Sequence, residues 1–378
     1  MAIKLKRVLK LTMLIFLAVL VIATVAVFSF LQLDSFGKDP SGARLERIKK
    51  SPNYVNGSFV NLVDTPVMAE NANYFKIARA YFSPVDNIQP NFTLPSVKTD
   101  LKKAPPVRPT FTYFGHSAYM LQVDGKNILM DPVLSKRISP VQWAGGKGYA
   151  GTHVFEVKDL PEINFIFLSH DHYDHTDYET LKQFAGKPTK FIVPLGVGAH
   201  LEHWGIAPAN ITELDWWEET SAIAGIKVTA TPARHFSGRS LARGKSLWAS
   251  YVLQTPHYKF FFGGDSGYEK HFAAIGEKFG PFDLAILECG QYNEMWPYIH
   301  MMPEQTAQAG IDLGAKVIWP VHWGKFTLAL HAWNDSPKRI TKVADELRLK
   351  LTTPIIGEQI IIGTTYPNRN WWELPEGK

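Results

Sequence analysis

The run Ser169-His170-Asp171-His172-Tyr173-Asp174-His175 holds three imidazoles and two carboxylates within six positions. Four of these groups, His170, His172, Asp174 and His175, are the nitrogen and oxygen donors that borderline divalent ions such as Zn²⁺ accept. A loop this short does not easily wrap all four around one ion. Two adjacent ions can divide them, with His170 and His172 on one and Asp174 and His175 on the other. The run follows the apolar stretch Ile163–Leu168, which reads as a buried strand, so the side chains emerge at a strand end, where α/β folds place their sites. A solvated polar loop is the bland alternative, and the density of His and Asp argues against it. Three more donors occupy the same relative place. Lys227–Thr231 runs into Pro232-Ala233-Arg234-His235, Tyr258–Phe262 into Gly263-Gly264-Asp265, and Lys316–Pro320 into Val321-His322-Trp323. Each alone is as readily a satisfied core residue; the repetition makes a set. Gly263 and Gly264 are expected to let backbone and carboxylate come close to a ligand.

Positioning such a set requires strands with their ends on one edge. Beyond the strands already named, Phe165–Leu168, Lys190–Val193 and Asp283–Leu287 read as buried strands. Thr112–Val123 and Lys126–Met130 flank Asp124-Gly125, a strong two-residue hairpin signal. Helical patterns cover Tyr178–Phe184, Tyr268–Phe279, Pro303–Leu313 and Pro337–Leu349. Strands alternating with helices after a hairpin-like start predict an α/β chain with a two-sheet core covered by helices. One catalytic domain over 54–378 is expected, its first part a loop-rich lead-in packed on the body. Residues 34–53 are expected to be a tether. Trp216-Trp217 reads as core; Trp371-Trp372 stands evenly between core and a lipid-facing edge.

The 378 residues, 46% hydrophobic and 20% charged, exclude a disordered or collagen-like chain. Cys289 is the single cysteine, so neither an internal disulfide nor a thiolate cluster is available, and a metal centre must be built from His and Asp. The net charge of +5 is mostly a leader effect: Lys4, Lys6, Arg7 and Lys10 precede any acid, leaving +1 after residue 33. A nucleic-acid partner therefore loses its main support. Leu11–Leu33 is apolar apart from Thr12, Thr24, Ser29 and Gln32, and as a helix reaches roughly 35 Å, enough to cross a bilayer. We read 1–33 as an uncleaved single-pass anchor. A cleaved signal peptide is the competing reading, although its best site, Thr24-Val25-Ala26, falls inside the apolar run. The cations before the span place the body on the extracytoplasmic side, while Lys38, Arg44, Arg47, Lys49 and Lys50 beyond it weaken the asymmetry.

His-x-His-x-Asp-His followed by a lone His, a lone Asp and a last His after successive strands resembles the metallo-β-lactamase superfamily. Phe114-Gly115-His116-Ser117, Asp131-Pro132, Glu213-Leu214-Asp215-Trp216-Trp217-Glu218-Glu219, Phe262-Gly263-Gly264-Asp265-Ser266-Gly267-Tyr268 and His322-Trp323-Gly324-Lys325-Phe326 sharpen the likeness. They resemble the N-acylphosphatidylethanolamine-hydrolysing phospholipase D family and its bacterial relatives, over roughly residues 50–360. The resemblance implies an αββα two-sheet sandwich. It implies two divalent ions, zinc by donor type, one on His170, His172 and His235, the other on Asp174, His175 and His322, with Asp265 bridging. Tyr173 and His300 are implied to face the substrate phosphate, and His116 lies either at the rim against substrate or within its own turn. A homodimer is implied as well. Glu288-Cys289-Gly290-Gln291-Tyr292 departs from the animal pattern and looks more like the bacterial branch.

Two such ions about 3.5–4 Å apart hold a bridging water, lower its pKa and offset charge on a developing phosphorane. Asp174 can orient that water as well as ligate, and the resemblance implies that His300 and Tyr173 donate to phosphate oxygens or the departing alkoxide. The expected reaction is hydrolysis of N-acylphosphatidylethanolamine or a related phospholipid at a membrane. A lactonase or other carboxylic-ester hydrolase is the first rival. A nuclease and a non-catalytic, membrane-tethered metal-binding sensor are the others.

Overall fold

A computed structural model describes residues 2–70, 72–83, 85–103 and 107–373. Met1 of the leader, and residues 71, 84, 104–106 and 374–378 of the expected domain, lie outside the described residues. Apart from two small two-stranded ribbons, the strands are β1 (Thr110–Gly115), β2 (Ala118–Val123), β3 (Lys126–Met130), β4 (Phe165–Phe167), β5 (Lys190–Pro194) and β6 (Ile211–Leu214), then β7 (Glu219–Ile223), β8 (Ile226–Thr231), β9 (Ser250–Gln254), β10 (Lys259–Phe262), β11 (Leu284–Glu288) and β12 (Ile318–Val321), with β13 (Gln359–Ile361) last. They form a seven-stranded sheet in the order β6-β5-β4-β3-β2-β1-β13 and a six-stranded sheet in the order β7-β8-β9-β10-β11-β12. Both are mixed. β3 to β6 pair in parallel, and so do β10 to β12; the other neighbours pair antiparallel.

Alternation on the second sheet makes it two-faced. Phe260 and Phe262, Tyr251 and Leu253, and Leu284 and Ile286 turn toward the first sheet. Phe261, Val252, Ala285 and Leu287 turn the other way. A strand with period two that is apolar on both faces must be covered on both. Inside the sandwich Phe111 meets Phe260, Phe262 and Trp319 edge-on at 5.2, 6.5 and 6.0 Å between ring centres. On the outer face lie the helices His271–Phe279, Pro303–Asp312 and Asp335–Leu347, which bring Phe272, Ile275 and Ile340. The order is helix, sheet, sheet, helix, as expected.

The expected strand Thr112–Val123 is two strands. Positive φ at Gly115 (88°) and His116 (57°) folds the chain back at His116-Ser117, and Gly115-His116-Ser117 was the sequence sign of the break between two largely apolar halves. The Asp124-Gly125 hairpin forms as expected, with positive φ at both residues, the twist that matches right-handed strands.

The expectation of a tether over 34–53 is overturned. Arg44 reaches Glu202 and Glu213, each at 2.8 Å, from the helix Gly42–Ile48, and Ile48 is fully buried. Ser35 offers its carbonyl to Arg239 at 2.7 Å, and the Lys38 amide donates to His200 at 2.9 Å. Polar residues there are ion-pairing surface of the body, which composition cannot distinguish from a linker. Ahead of them the helix Ala2–Leu31 has a stretch, Lys4–Leu31, long and apolar enough to cross a membrane, and none of that apolar window is buried. Trp372 is fully buried with Trp323 and Trp333, which places the tail pair in core; Trp216 is buried, and Trp217 is 38% exposed.

Candidate metal centre

Every donor predicted to ligate arrives at the same edge of the sandwich. β4 feeds the His170–His175 loop, and β8, β10 and β12 deliver His235, Asp265 and His322. Two hydrogen bonds fix where the loop starts: Tyr251 donates to the Leu168 carbonyl at 2.8 Å, and the Ala249 amide to that of Ser169 at 2.9 Å. Gly264 has φ of 59°, and a Cβ there would stand 2.7 Å from that of Ser169. One on Gly263 would stand 2.8 Å from the Ile286 carbonyl. Gly264 therefore lets the two sheets close beside Asp265 and Gly263 lets β11 come close within its own sheet, and in both the close approach is to protein atoms.

Three ring nitrogens meet in one group. His172 Nδ1 lies 2.9 Å from His170 Nε2 and 3.2 Å from His235 Nε2. Nitrogens bound about 2.0–2.1 Å from a tetrahedral ion stand roughly 3.3 Å apart, so the trio fits one ion. Asp174, His175 and His322 form a second group, in which His175 Nε2 is 3.5 Å from Asp174 Oδ2. Asp265 lies between the groups. Its Oδ2 is 3.8 Å from His170 and from His235 and 3.2 Å from His175, and its Oδ1 is 3.2 Å from His322.

The outer nitrogens of these rings are held by the protein. Asp131 accepts from the Ser169 amide at 2.7 Å, from its hydroxyl at 2.6 Å and from His175 Nδ1 at 2.7 Å. His235 Nδ1 donates to the Ile299 carbonyl at 2.9 Å, and His322 Nδ1 lies 3.0 Å from the Ser117 hydroxyl. Such contacts orient an imidazole and raise its basicity as a ligand. By contrast, His175 Nε2, His322 Nε2 and Asp265 Oδ1 are buried without a hydrogen bond. Orphaned atoms of this kind, converging from the ends of three strands, are what a divalent cation satisfies.

Charge agrees with that fit. Burial holds the His170, His235 and His322 imidazoles well below their usual range, so they are neutral and free to coordinate. Burial opposes ionisation of Asp265, but His175 and His322 outweigh it and keep the carboxylate well below the usual range. Burial likewise works against a charged His175, and Asp265, Asp174 and Asp131 reverse this, raising it well above an ordinary imidazole. A cluster that draws a proton onto that nitrogen draws a divalent cation to the same place.

Five of the donors, His172, Asp174, His235, Asp265 and His322, floor a cavity of about 380 Å³. Its walls include Val67, Met68, Ile77, Phe236, Trp296 and Leu328, and His300 faces into it. Val67, Met68 and Ile77 come from the lead-in, which is pinned beside the metal loops. Asn61 donates to the His235 carbonyl at 2.8 Å, Arg234 to the Thr65 hydroxyl at 3.0 Å, and the Ala69 amide to the Met295 carbonyl at 2.9 Å.

Two predicted substrate residues are placed elsewhere. Tyr173 does not line the cavity; its hydroxyl donates to the Arg239 carbonyl at 2.7 Å and its ring lies 4.1 Å under that guanidinium. It belongs to the clamp by which Arg239 ties Ser35 to Asp171 and Thr176. His116 is also off the cavity, fully buried behind Asp174, with Nε2 2.9 Å from Asp174 Oδ2. Burial closes it off from the cavity, and its donor atom lies within the same group as those of Asp174, His175 and His322. His300 is where it was expected, and its Nδ1 is 3.2 Å from Glu288 Oε2.

Sequence reasoning quoted Asp131, Glu288 and Gln291 in comparing the chain with the family but gave them no role in the site. Glu288 ends the buried strand β11 beside β12, so the strand-end rule that found His322 applied to it equally. Burial pushes its carboxyl up to about 7.

The geometry has counterparts. A family model, the beta-lactamase superfamily domain, matches residues 126–323. The chain belongs to the metallo-β-lactamase superfamily. An uncharacterized protein of Mycobacterium tuberculosis is 37% identical over 333 residues, 86% of this chain and 88% of that one. An N-acyl-phosphatidylethanolamine-hydrolyzing phospholipase D of Caenorhabditis elegans is 30% identical over 239 residues, 60% of this chain and 67% of that enzyme. A metallo hydrolase of Ignicoccus hospitalis superposes with a TM-score of 0.51 at 21% identity, covering 67% of this chain and 97% of that one, and shares the fold. Superfamily membership and the donor cluster make this chain a metal-dependent hydrolase.

Proposed function

We propose that the chain is a zinc-dependent phosphodiesterase of phospholipase D type, acting on N-acylphosphatidylethanolamine or a related phospholipid. The observation that carries the reading is a cluster of seven His and Asp donors, five of them lining a cavity with apolar walls, in a chain similar to an enzyme named for that reaction. His170, His172 and His235 would hold one ion, Asp174, His175 and His322 a second, and Asp265 both. Ions so held supply Lewis acidity toward phosphate and lower the pKa of water. The chain's residues do the rest. Asp174, fixed by His116, accepts a proton from the attacking water. That oxygen forms a bond to phosphorus as the bond to the ethanolamine oxygen breaks, giving phosphatidic acid and an acylated ethanolamine. His300 donates a proton to the departing oxygen. Burial alone would lower this imidazole, and Glu288 with Asp265 and Asp174 raises it, which favours the proton-bearing form. The walls take apolar chains and exclude bulk water.

The helix Ala2–Leu31 would hold the cavity at a bilayer with the body on the extracytoplasmic side; a body left uncut by protease added to intact spheroplasts would reverse that orientation. The reaction is tested with the metal-loaded chain on N-acylphosphatidylethanolamine, bis-p-nitrophenyl phosphate and acyl-homoserine lactones, with products read by mass spectrometry. Phosphatidic acid and acylethanolamine are the expected products. Hydrolysis of the lactones alone would replace this reading with the carboxylic-ester one.

A further inference from the structure

A second hollow, of about 360 Å³, adjoins the metal cavity. The two share Val67, His235, Phe236 and Arg243, which form the wall between them. The second hollow is built by Ser58–Thr65 of the lead-in against Trp248, and it exposes apolar surface: Val60 is 42% exposed, Leu62 57% and Val63 38%. Asp64 is the one carboxylate among its lining residues, and Asn61 is occupied with His235 and Trp248. Arg243 stands on the dividing wall with its guanidinium 4.9 Å from the centre of the Phe236 ring, and it meets no carboxylate among the described residues. The Phe236 ring in turn lies against His172 and His235, at 4.6 and 4.9 Å between ring centres. One aromatic ring therefore separates a cation without a counter-charge from the metal donors.

We infer that the hollow is a second substrate subsite, which takes one apolar arm of a two-armed amphiphilic phosphodiester while the metal cavity takes the other. This rests on the phosphodiesterase reading. Three features commit the occupant. The hollow continues from the reaction cavity across a wall one residue thick. Three of its exposed side chains, Val60, Leu62 and Val63, are aliphatic and suited to a hydrocarbon chain, beside the single carboxylate Asp64. The charge at the crossing point is positive and unpaired, complementary to the anionic linker of a diester. A substrate lying across Phe236 would put its charged centre between the metal floor and Arg243, with one chain on each side.

The test is equilibrium binding to the metal-loaded full chain in lipid nanodiscs, with non-hydrolysable ligands. Dihexylphosphinate has two arms and a charge, hexyl(methyl)phosphinate one long arm and a charge, and dihexyl ketone two arms and no charge. The native chain is expected to bind dihexylphosphinate about tenfold tighter than the one-armed ligand. Leu62→Arg, and independently Val63→Arg, should erase that difference while leaving the one-armed ligand within about twofold; both positions are on the surface, so folding is not at stake. Arg243→Ala should weaken both phosphinates about fivefold and spare the ketone. Equal binding of one- and two-armed ligands by the native chain, or no response to either blocking variant, overturns the subsite. If the arm preference holds yet the chain hydrolyses only neutral esters, the subsite stands and the phosphodiesterase reading falls.

Discussion

The floor and the walls of the cavity are built by different physics. The floor is charge-dense and buried: His175 and His322 are fully inaccessible, and Asp265 is 3% exposed. The donors follow the ends of strands, and for His175, His322 and His235 a further hydrogen-bond contact with Asp131, Ser117 or the Ile299 carbonyl holds the ring. The walls are apolar, half-exposed and drawn from loops and the lead-in, with Ile77 on the short helix Tyr74–Tyr81. A misplaced donor leaves a buried polar atom unpaired, at a cost of roughly 1–3 kcal/mol and more when charged. A misplaced aliphatic side chain at the surface costs a fraction of that. The floor therefore tolerates almost no variation, whereas the walls can be rebuilt to suit a substrate.

Breaking the floor should cost most. Asp265→Asn removes the carboxylate that both donor groups face; turnover should fall on the order of a thousandfold or more, with loss of bound metal measured by elemental analysis. A variant with full metal and activity would refute the bridging position. Glu288→Gln keeps the shape but removes the charge behind His300. Turnover on an alkyl phosphodiester should fall about a hundredfold, with little change on a p-nitrophenyl ester, whose leaving group needs no proton. Metal content should stay intact, and an equal loss on both substrates would assign Glu288 a purely structural role. Ile77→Ala changes only a wall. KM for a long-chain substrate should rise about fivefold with kcat and metal content unchanged, the loss of a partly buried aliphatic group. A metal deficit in that variant would erase the distinction between floor and wall.

The floor was also the legible part. His170, His172, Asp174, His175, His235, Asp265 and His322 were each found by one rule, a donor just after a buried strand, and the structure brings all seven together. The rule works because strands alternate faces and end at a common edge, so a short local pattern fixes a side chain's place. The substrate-facing places of Tyr173 and His116 were implied by the family likeness, which for His116 left a place within its own turn equally open, and the strand-end pattern says nothing of direction once a loop begins to turn. Positive φ at His116 and at His322 (71°) decides which way those side chains leave the backbone. The helix Gly42–Ile48 was missed because it is held by long-range ion pairs with Glu202 and Glu213, and its seven residues are too few for a periodic apolar face to show.

By itself the sequence determined the metal chemistry, since a single cysteine and a strand-end set of His and Asp leave few other ways to hold a divalent ion. It also determined the two-sheet order and the apolar leader, because periodicity and length are local properties. Only the tertiary structure decided what surrounds the metal donors. The lead-in is some hundred residues before the first of these donors and about 170 before His235, and it closes the cavity through single contacts such as Asn61 to His235 and Arg234 to Thr65. Contacts at that separation arise from the packing of the whole chain, and no spacing rule within a short window carries them.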